Sequence, residues 1–384
     1  MMLLAAGCKV TPETENKVPV SGEKTEENVD QGKLNAVKPS AYANVHGLNL
    51  EPGTMLSIIG KGKSSAYWSE VKRGAEEAVA DINEMMGYKG EDKVGLTYSA
   101  PKTEEDVDDQ VNILDEELAR YPAALGIAAV DAGACEVQFD LAAENGIPIV
   151  AFDSGTDYRN IVAMVDTDNA DAASMAVNRL CDSIGDSGKV LLLVHDSVST
   201  SAMQREEGFV KALEAKKNDV SAAGIYRLDE LEDMQKQIAK EKNPDADQEA
   251  ESEEDAEAET EENPGTDITQ EEVVKYLLEK NPDVKGIYTT NETTTKLAVQ
   301  VLEELGRTDV KVVGFDGGED QLKLLEEEKV EGLIVQNPYG IGYATVVACA
   351  RAVLDQGNEA NINTGFTLVT RENMKEAAVA KMMY

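Results

Sequence analysis

Two polar side chains, Asn291 and Asp316, stand just beyond short apolar runs, and the stretch between them has a helical pattern. Val284-Lys285-Gly286-Ile287-Tyr288 leads into Thr289-Thr290-Asn291, and Val310-Lys311-Val312-Val313-Gly314 leads into Phe315-Asp316. Leu297, Val301, Leu302 and Leu305 recur at helical spacing, and Gly306 sits where a helix usually stops. A right-handed crossover makes two such strands parallel. Both polar residues then reach the same edge of the sheet, the edge at which open α/β sheets bind ligands. An amide donates and accepts, and a carboxylate can accept from two hydroxyls at once. The pair suits a hydroxyl-bearing small molecule.

Comparable residues close other apolar runs. Asp153 follows Ile149-Val150-Ala151-Phe152, Gln336 follows Gly332-Leu333-Ile334-Val335, and Tyr67-Trp68 come just past the run 54–60, at the start of a helix. Singly, each has a plainer explanation: an Asp at a strand end caps the next helix, and paired aromatics fill a core. Their joint occurrence at the carboxyl ends of strands is what points to a binding site.

Catalytic chemistry is thinly represented. The two histidines are His46 and His195, and neither a G-x-S-x-G elbow nor a G-x-x-x-x-G-K-[ST] phosphate loop occurs. Gly60-Lys61-Gly62 lacks the third glycine and the acidic partner of a dinucleotide loop. Cys8, Cys135, Cys181 and Cys349 are far apart, with no C-x-x-C and no neighbouring His, which indicates neither a zinc site nor a redox pair. The last three read as small buried hydrophobes. Neither a cofactor nor an enzymatic activity is expected.

The net charge of −38 argues against a nucleic-acid partner. Eleven acids and no base fall between residues 245 and 262. Like charges repel and stay solvated, so residues 243–265 are expected to form a disordered acidic insertion. The acids lack the spacing and turn glycine of a calcium loop. No run of about 18 apolar residues occurs, so no membrane-spanning helix is expected.

The supporting elements alternate. Strand and helix patterns follow one another from about Thr54 and restart near Thr167, the mark of parallel sheets covered by helices on both faces. Two successive sets of similar size give an α/β fold of two similar doubly wound parallel-sheet lobes. Ahead of them, residues 1–8 end in Ala6-Gly7-Cys8 and resemble the close of a bacterial lipoprotein signal peptide whose start is truncated. That resemblance implies a lipid on Cys8 and a place outside the cell membrane, anchored to it. The polar residues 9–52 read as a flexible tether.

In order and spacing, the motifs resemble the ribose-type periplasmic binding proteins, a type I solute-binding fold shared with the effector domains of lactose-repressor-like regulators. Ser65-Ala66-Tyr67-Trp68 with Gly74-Ala75 is similar to the first-loop N-P-F-F…G-A pattern of that family. Residues 147–153 resemble its I-P-V-V-x-x-D strand, and Thr167-Asp168-Asn169 its S-D-N crossing. Arg205-Glu206-Glu207-Gly208-Phe209 matches R-x-x-G-F, Asn291-Glu292 matches N-D, and Gly314-Phe315-Asp316-Gly317 matches G-F-D-G. Gln336-Asn337-Pro338 falls at the second crossing.

The resemblance implies a three-segment hinge between a lobe of residues 53–166 plus 337–364 and a lobe of residues 167–336 plus 365–384. It implies a monosaccharide held between them by Ser65, Tyr67, Trp68, Asp153, Thr167, Met203, Asn291, Asp316 and Gln336. Tyr67 and Trp68 would stack on the sugar, and the acids and amides would bond its hydroxyls. It further implies a monomer that docks on the permease of an ABC transporter. A sensor subunit, showing its closed form to a receptor or histidine kinase, is the alternative. The family's first-loop Asn is Ser65 here, its two sugar-gripping arginines fall at Ser154 and Met203, and a strand-end Asn falls near Ala128. The expected pocket is therefore roomier and less polar, and its ligand neutral rather than anionic.

Overall fold

The computed structural model describes residues 27–216, 219–242 and 267–384. Cys8 and the acidic insertion at 243–265 lie outside the described residues. The strands form where short apolar runs are buried on both faces, as in Ile149–Phe152 and Gly332–Gln336. A strand buried on both faces belongs in a parallel sheet with helices on each side.

The first sheet is formed by β1 (Met55–Ile59), β2 (Gly95–Ser99), β3 (Ala124–Ile127), β4 (Ile149–Phe152), β5 (Ala163–Asp166) and β11 (Asn361–Asn363). Its order is β11-β5-β4-β3-β1-β2, and all its pairs are parallel. The second sheet takes β6 (Ser187–Val194), β7 (Asp219–Arg227), β8 (Val284–Thr289), β9 (Lys311–Phe315), β10 (Gly332–Gln336) and β12 (Phe366–Val369). Its order is β12-β10-β9-β8-β6-β7, with only the edge strand β12 antiparallel. Place for place, β1 matches β6, β4 matches β9 and β5 matches β10.

Helices α1 (Glu27–Ala36), α2 (Ala66–Met86), α3 (Val107–Leu118) and α4 (Glu136–Glu144) precede the first crossing. The second lobe adds α5 (Asn169–Ser183), α6 (Thr200–Ala215), α7 (Glu232–Lys242), α8 (Gln270–Lys280), α9 (Glu292–Leu305) and α10 (Glu319–Glu326). The chain then returns to the first lobe with α11 (Pro338–Val353) and ends with the short α12 (Ala377–Ala380). Helices α2 and α11 touch backbone to backbone. A Cβ on Gly74 would stand 2.0 Å from the Tyr339 carbonyl oxygen, and one on Gly342 1.9 Å from that of Val71. That contact fixes the axis of α2, whose first turn carries Tyr67 and Trp68.

Among the described residues, three segments cross between the lobes: after β5, after β10, and between β11 and β12. They are stitched together rather than loose. Thr167 Oγ1 donates to Gln336 Oε1 at 2.8 Å, Asn337 Nδ2 donates to the Thr364 carbonyl at 2.8 Å, and Thr364 Oγ1 donates to the Asp166 carbonyl at 3.0 Å.

The segment expected as a flexible tether is folded from residue 27 onward. Lys33 is buried and pairs with Glu70 at 2.6 Å, while Arg73 grips Asp30 with two bonds of 2.7 and 2.9 Å. Tyr42, Leu48 and Leu50 enter the core of the first lobe, and Asn337 Nδ2 also donates to the Lys33 carbonyl at 2.8 Å. A polar composition hid this because the few apolar residues are spaced irregularly and their burial is tertiary. Burying each such side chain contributes about 1.5–3 kcal/mol, enough to hold the segment down. Among the described residues no helix is long and apolar enough to cross a membrane. Cys135, Cys181 and Cys349 are buried.

Tyr42→Ala tests whether this segment belongs to the fold. The hydroxyl of Tyr42 accepts from the Glu359 N–H at 2.7 Å, and the ring is 1 % exposed. Truncation should cost about 3–5 kcal/mol in urea unfolding; an unchanged midpoint would mean the segment only rests on the surface.

Candidate ligand-binding site

The carboxyl ends of both sheets face one cleft of about 470 Å³ between the lobes. The lobes are closed on each other: Lys61 Nζ meets Asp196 Oδ2 at 3.3 Å, and the Ala132 N–H donates to the Val198 carbonyl at 3.1 Å.

Asp153 and Asp316 occupy equivalent places, each directly after the matching strand, β4 or β9. Both adopt left-handed backbone, with φ of 54° and 76°. Their N–H groups bond across to the neighbouring strand in the same way, Asp153 to the Val165 carbonyl at 2.9 Å and Asp316 to that of Ile334 at 2.8 Å. This conformation costs an L-residue roughly 1–2 kcal/mol, and it turns each side chain off the strand end. Two strained acids thus face one space from opposite lobes.

Each acid is partly engaged. Tyr67 OH donates to Asp153 Oδ1. Asp316 Oδ1 accepts from Gln336 Nε2 at 2.7 Å, and its Oδ2 from the Glu292 N–H at 3.1 Å. A carboxylate has about four lone-pair positions, so both acids keep acceptor capacity toward the cleft. Asn291 caps α9, its Oδ1 accepting from the Thr294 N–H at 2.8 Å, so the group left for a ligand is its Nδ2. Ser65 caps α2, accepting from the Trp68 N–H at 3.3 Å.

The aromatic pair is arranged differently from a stacking platform. Tyr67 and Trp68 meet edge to face at 5.2 Å, and Trp68 is 2 % exposed, its ring edge-on to Phe152. A Cβ on Gly62 would lie 3.2 Å from Trp68 Cδ1 and 2.8 Å from Glu104 Cγ. The Gly60-Lys61-Gly62 turn is therefore a seat for the indole.

The structure corrects three further expectations. Met203 points outward on α6, 41 % exposed, and does not line the cleft; it lies two residues from both Ser201 and Arg205, which do, and so falls on the opposite face of the helix. Thr167 is buried behind the cleft, where it holds Gln336. Nor is the cleft free of cations, because Lys61, Arg205 and Lys296 line it together with Glu104 and His195. Arg205 had appeared only as part of a motif. It is buried, with Nε on Asn169 Oδ1 at 2.8 Å, Nη1 on the Thr290 carbonyl at 2.7 Å, and its guanidinium 3.7 Å from the Phe315 ring centroid. Lys61 and Glu104 had a usable signal, since both follow strands of the first sheet at its carboxyl edge.

Burial governs the titration of the cleft. It lifts Asp316 to about 6, against the pull of Arg205 and the Gln336 hydrogen bond. It lifts Glu104 to about 7, against Lys61 and a hydrogen bond from the Trp68 side chain, and Asp166 to about 7, with Asp153 and Asp168 adding to the rise. His195 is driven well below its usual range, first by burial.

A two-lobed α/β clamp with hydroxyl-accepting groups on both jaws is the architecture of a solute-binding protein. The Periplasmic binding protein domain matches residues 56–358, and the chain belongs to that family. It is 22 % identical over 284 residues to the ribose import binding protein RbsB of Escherichia coli, covering 74 % of this chain and 83 % of that protein. It is 22 % identical over 294 residues to the xylitol-binding protein of Mycolicibacterium smegmatis, covering 74 % and 73 %. Among solved structures, a carbohydrate transporter solute-binding protein from Agrobacterium radiobacter in complex with D-arabinose superposes with a TM-score of 0.67 at 24 % identity, covering 86 % of this chain and 99 % of that one. An ABC transporter solute-binding protein from Agrobacterium vitis bound with α-D-tagatopyranose gives 0.69 at 22 % identity, covering 86 % and 99 %. The fold is that of the type I periplasmic binding proteins.

A pH dependence follows from the raised acids. The ordinary value for Asp316 is 3.8 and its folded value about 6. The folded state therefore holds the proton more tightly than the unfolded chain, and stability from this group is complete below about 4 and lost as the pH rises through 6. Asp316→Asn, which cannot ionise, should gain melting temperature relative to wild type between pH 4.5 and 7.5. A constant difference across that range would contradict the assignment.

Proposed function

We propose that the protein is an extracytoplasmic solute-binding component that captures a neutral sugar or polyol between its lobes and delivers it to an ABC permease. One observation carries this reading: Asp153 and Asp316 face the same cleft from equivalent places in the two lobes, each with acceptor capacity left over. A ligand rich in donors and able to reach both acids favours the closed state, because only closure lets it bond both.

The cations do not turn the cleft into an anion site. Lys61 is paired with Asp196, Lys296 with Glu292 at 2.9 Å, and Arg205 is bonded to Asn169 and Thr290. Asp153 and Asp316 keep acceptor capacity and Asn291 a donor, which fits hydroxyl groups. Names among the relatives include ribose import and xylitol binding, and the word import favours delivery to a permease over the sensor alternative. Ser65, Trp68, Asp153, Asn291 and Asp316 are the proposed contacts, with Tyr67, Gln336 and Thr167 holding the acids in place. Family membership implies work outside the cytoplasmic membrane, a lipid on Cys8 would keep the protein there, and the proposed working unit is a monomer. Cys8→Ser should move the protein from the membrane fraction to the soluble fraction of its host.

Trp68 is the only tryptophan of the chain, and it lies in the wall of the cleft, so its emission should report binding directly. Titration with D-ribose, D-allose, D-arabinose, D-tagatose and xylitol should give a saturable change with at least one of them, accompanied by a rise in melting temperature. Asp316→Ala should then weaken that binding by about 2–3 kcal/mol. No response to any of the five would sink the sugar reading, and undiminished affinity in the variant would remove Asp316 from the site.

A further inference from the structure

The two jaws are equivalent in their acids but not in their helices. After β1, helix α2 opens with Ala66-Tyr67-Trp68 and supplies the hydroxyl that bonds Asp153. After the matching β6, helix α6 opens with Thr200-Ser201-Ala202 and carries no tyrosine to offer Asp316. That place is taken from elsewhere in the chain, by Tyr384.

Beyond β12 the chain crosses the second lobe, where Met374 and Val379 are part of the core. The Lys381 side chain lies within reach of Gly32 on α1, and Met382 is buried. Tyr384 then enters between the lobes. Its hydroxyl accepts from the Gly317 N–H at 3.2 Å and lies 3.5 Å from Asp316 Oδ1. Its ring meets that of Tyr67 edge to face at 5.8 Å and 70°, and it packs against the cores of both lobes. The result is a bridge in which a tyrosine hydroxyl sits on each acid and the two tyrosine rings touch across the jaws.

We propose that Tyr384 is a positioning residue of the sugar site, supplied by the C-terminal segment, which orients Asp316 through its hydroxyl and braces Tyr67 through its ring. The segment is thereby a working part of the clamp: closure brings Tyr67 of the first lobe onto a residue anchored in the second. The inference about affinity rests on the sugar reading; the inference about closure does not. Tyr384 lies outside the direct lining of the cleft, so its influence runs through Asp316 and Tyr67.

The test uses the full chain as Tyr384→Phe and Tyr384→Ala, each checked for an unchanged circular dichroism spectrum. With whichever of the five sugars binds wild type, Tyr384→Ala should weaken binding about tenfold or more, and Tyr384→Phe, which keeps the ring, by less. Because the phenol also donates to an ionised Asp316, Tyr384→Phe should move the acid limb of the affinity–pH profile upward, a change that a merely structural role would not produce. The second arm needs no sugar. Spin labels at the exposed Leu141 and Met175 should show a longer, broader distance in Tyr384→Ala than in wild type. Wild-type affinity and an unmoved pH profile in the variants would overturn the positioning role. Should no sugar bind wild type, the sugar reading falls, and an unchanged label distance would then overturn the proposal by itself.

Discussion

The buried carboxylate of Asp316 is the point on which both the site and the hinge depend. It accepts from Gln336, whose carbonyl accepts from Thr167, and these two residues lie at two different lobe crossings. The next residue, Asn337, reaches the third crossing at Thr364 and also the backbone of α1. A charge placed in a low-dielectric interior needs its lone pairs satisfied. The cheapest donors here are the groups that also tie the crossings together. Satisfying the acid and fixing the hinge are therefore one structural problem with one solution, and a change in what Asp316 bonds is felt directly by the segments that must bend.

The equivalence of the two lobes explains the geometry of the acids, and departure from that equivalence explains the rest. Matching strands β4 and β9 end in residues forced into the same left-handed turn, which is why two Asp side chains oppose each other across the cleft. Asp tolerates that backbone better than most side chains because its short polar group can bond locally. The helices that follow β1 and β6 have diverged. One brings two aromatics and the other small residues, so the second jaw has room for Tyr384. Charges show the same division: the first jaw contributes Lys61 and Glu104, the second Arg205, Asp196 and His195.

Much of this was legible from residue order, and the reason is geometric. Strand ends can be read from apolar runs, and the residue after a strand end in a parallel sheet must lie at the ligand edge, which located Asp153, Asn291, Asp316 and Gln336. The helix stop at Gly306 was equally readable, whereas the capping of α9 by Asn291 shows only in the structure. What escaped were features with no local period. Arg205 lies one turn inside α6, where only the helix's rotation decides which of Met203 and Arg205 faces the cleft. The segment from residue 27 onward has few apolar residues and no repeat, yet Tyr42, Leu48 and Leu50 are core. Tyr384 follows two methionines in a sequence with no feature of a site, and only the return of the chain over the second lobe brings it to Asp316.

The direct contacts between the jaws bear on what the ligand must supply. Closing the lobes withdraws Lys61 and Asp196 from water, and desolvating each ion costs several kcal/mol. At 3.3 Å the pair recovers that cost without a large surplus, because a buried ion pair is seldom strongly stabilising on balance. Its value lies in register, since a lysine on one jaw and an aspartate on the other meet only when the lobes are correctly aligned. The edge-to-face contact of Tyr67 and Tyr384 adds about 0.5–1.5 kcal/mol. Contacts of this size align the closed form without locking it, which leaves the open–closed equilibrium to be decided by whatever bonds Asp153 and Asp316 together. For a protein that must both seize a solute and release it, a weakly biased hinge with two strongly directional acceptors is the arrangement in which ligand chemistry, and not the protein's own adhesion, sets the state.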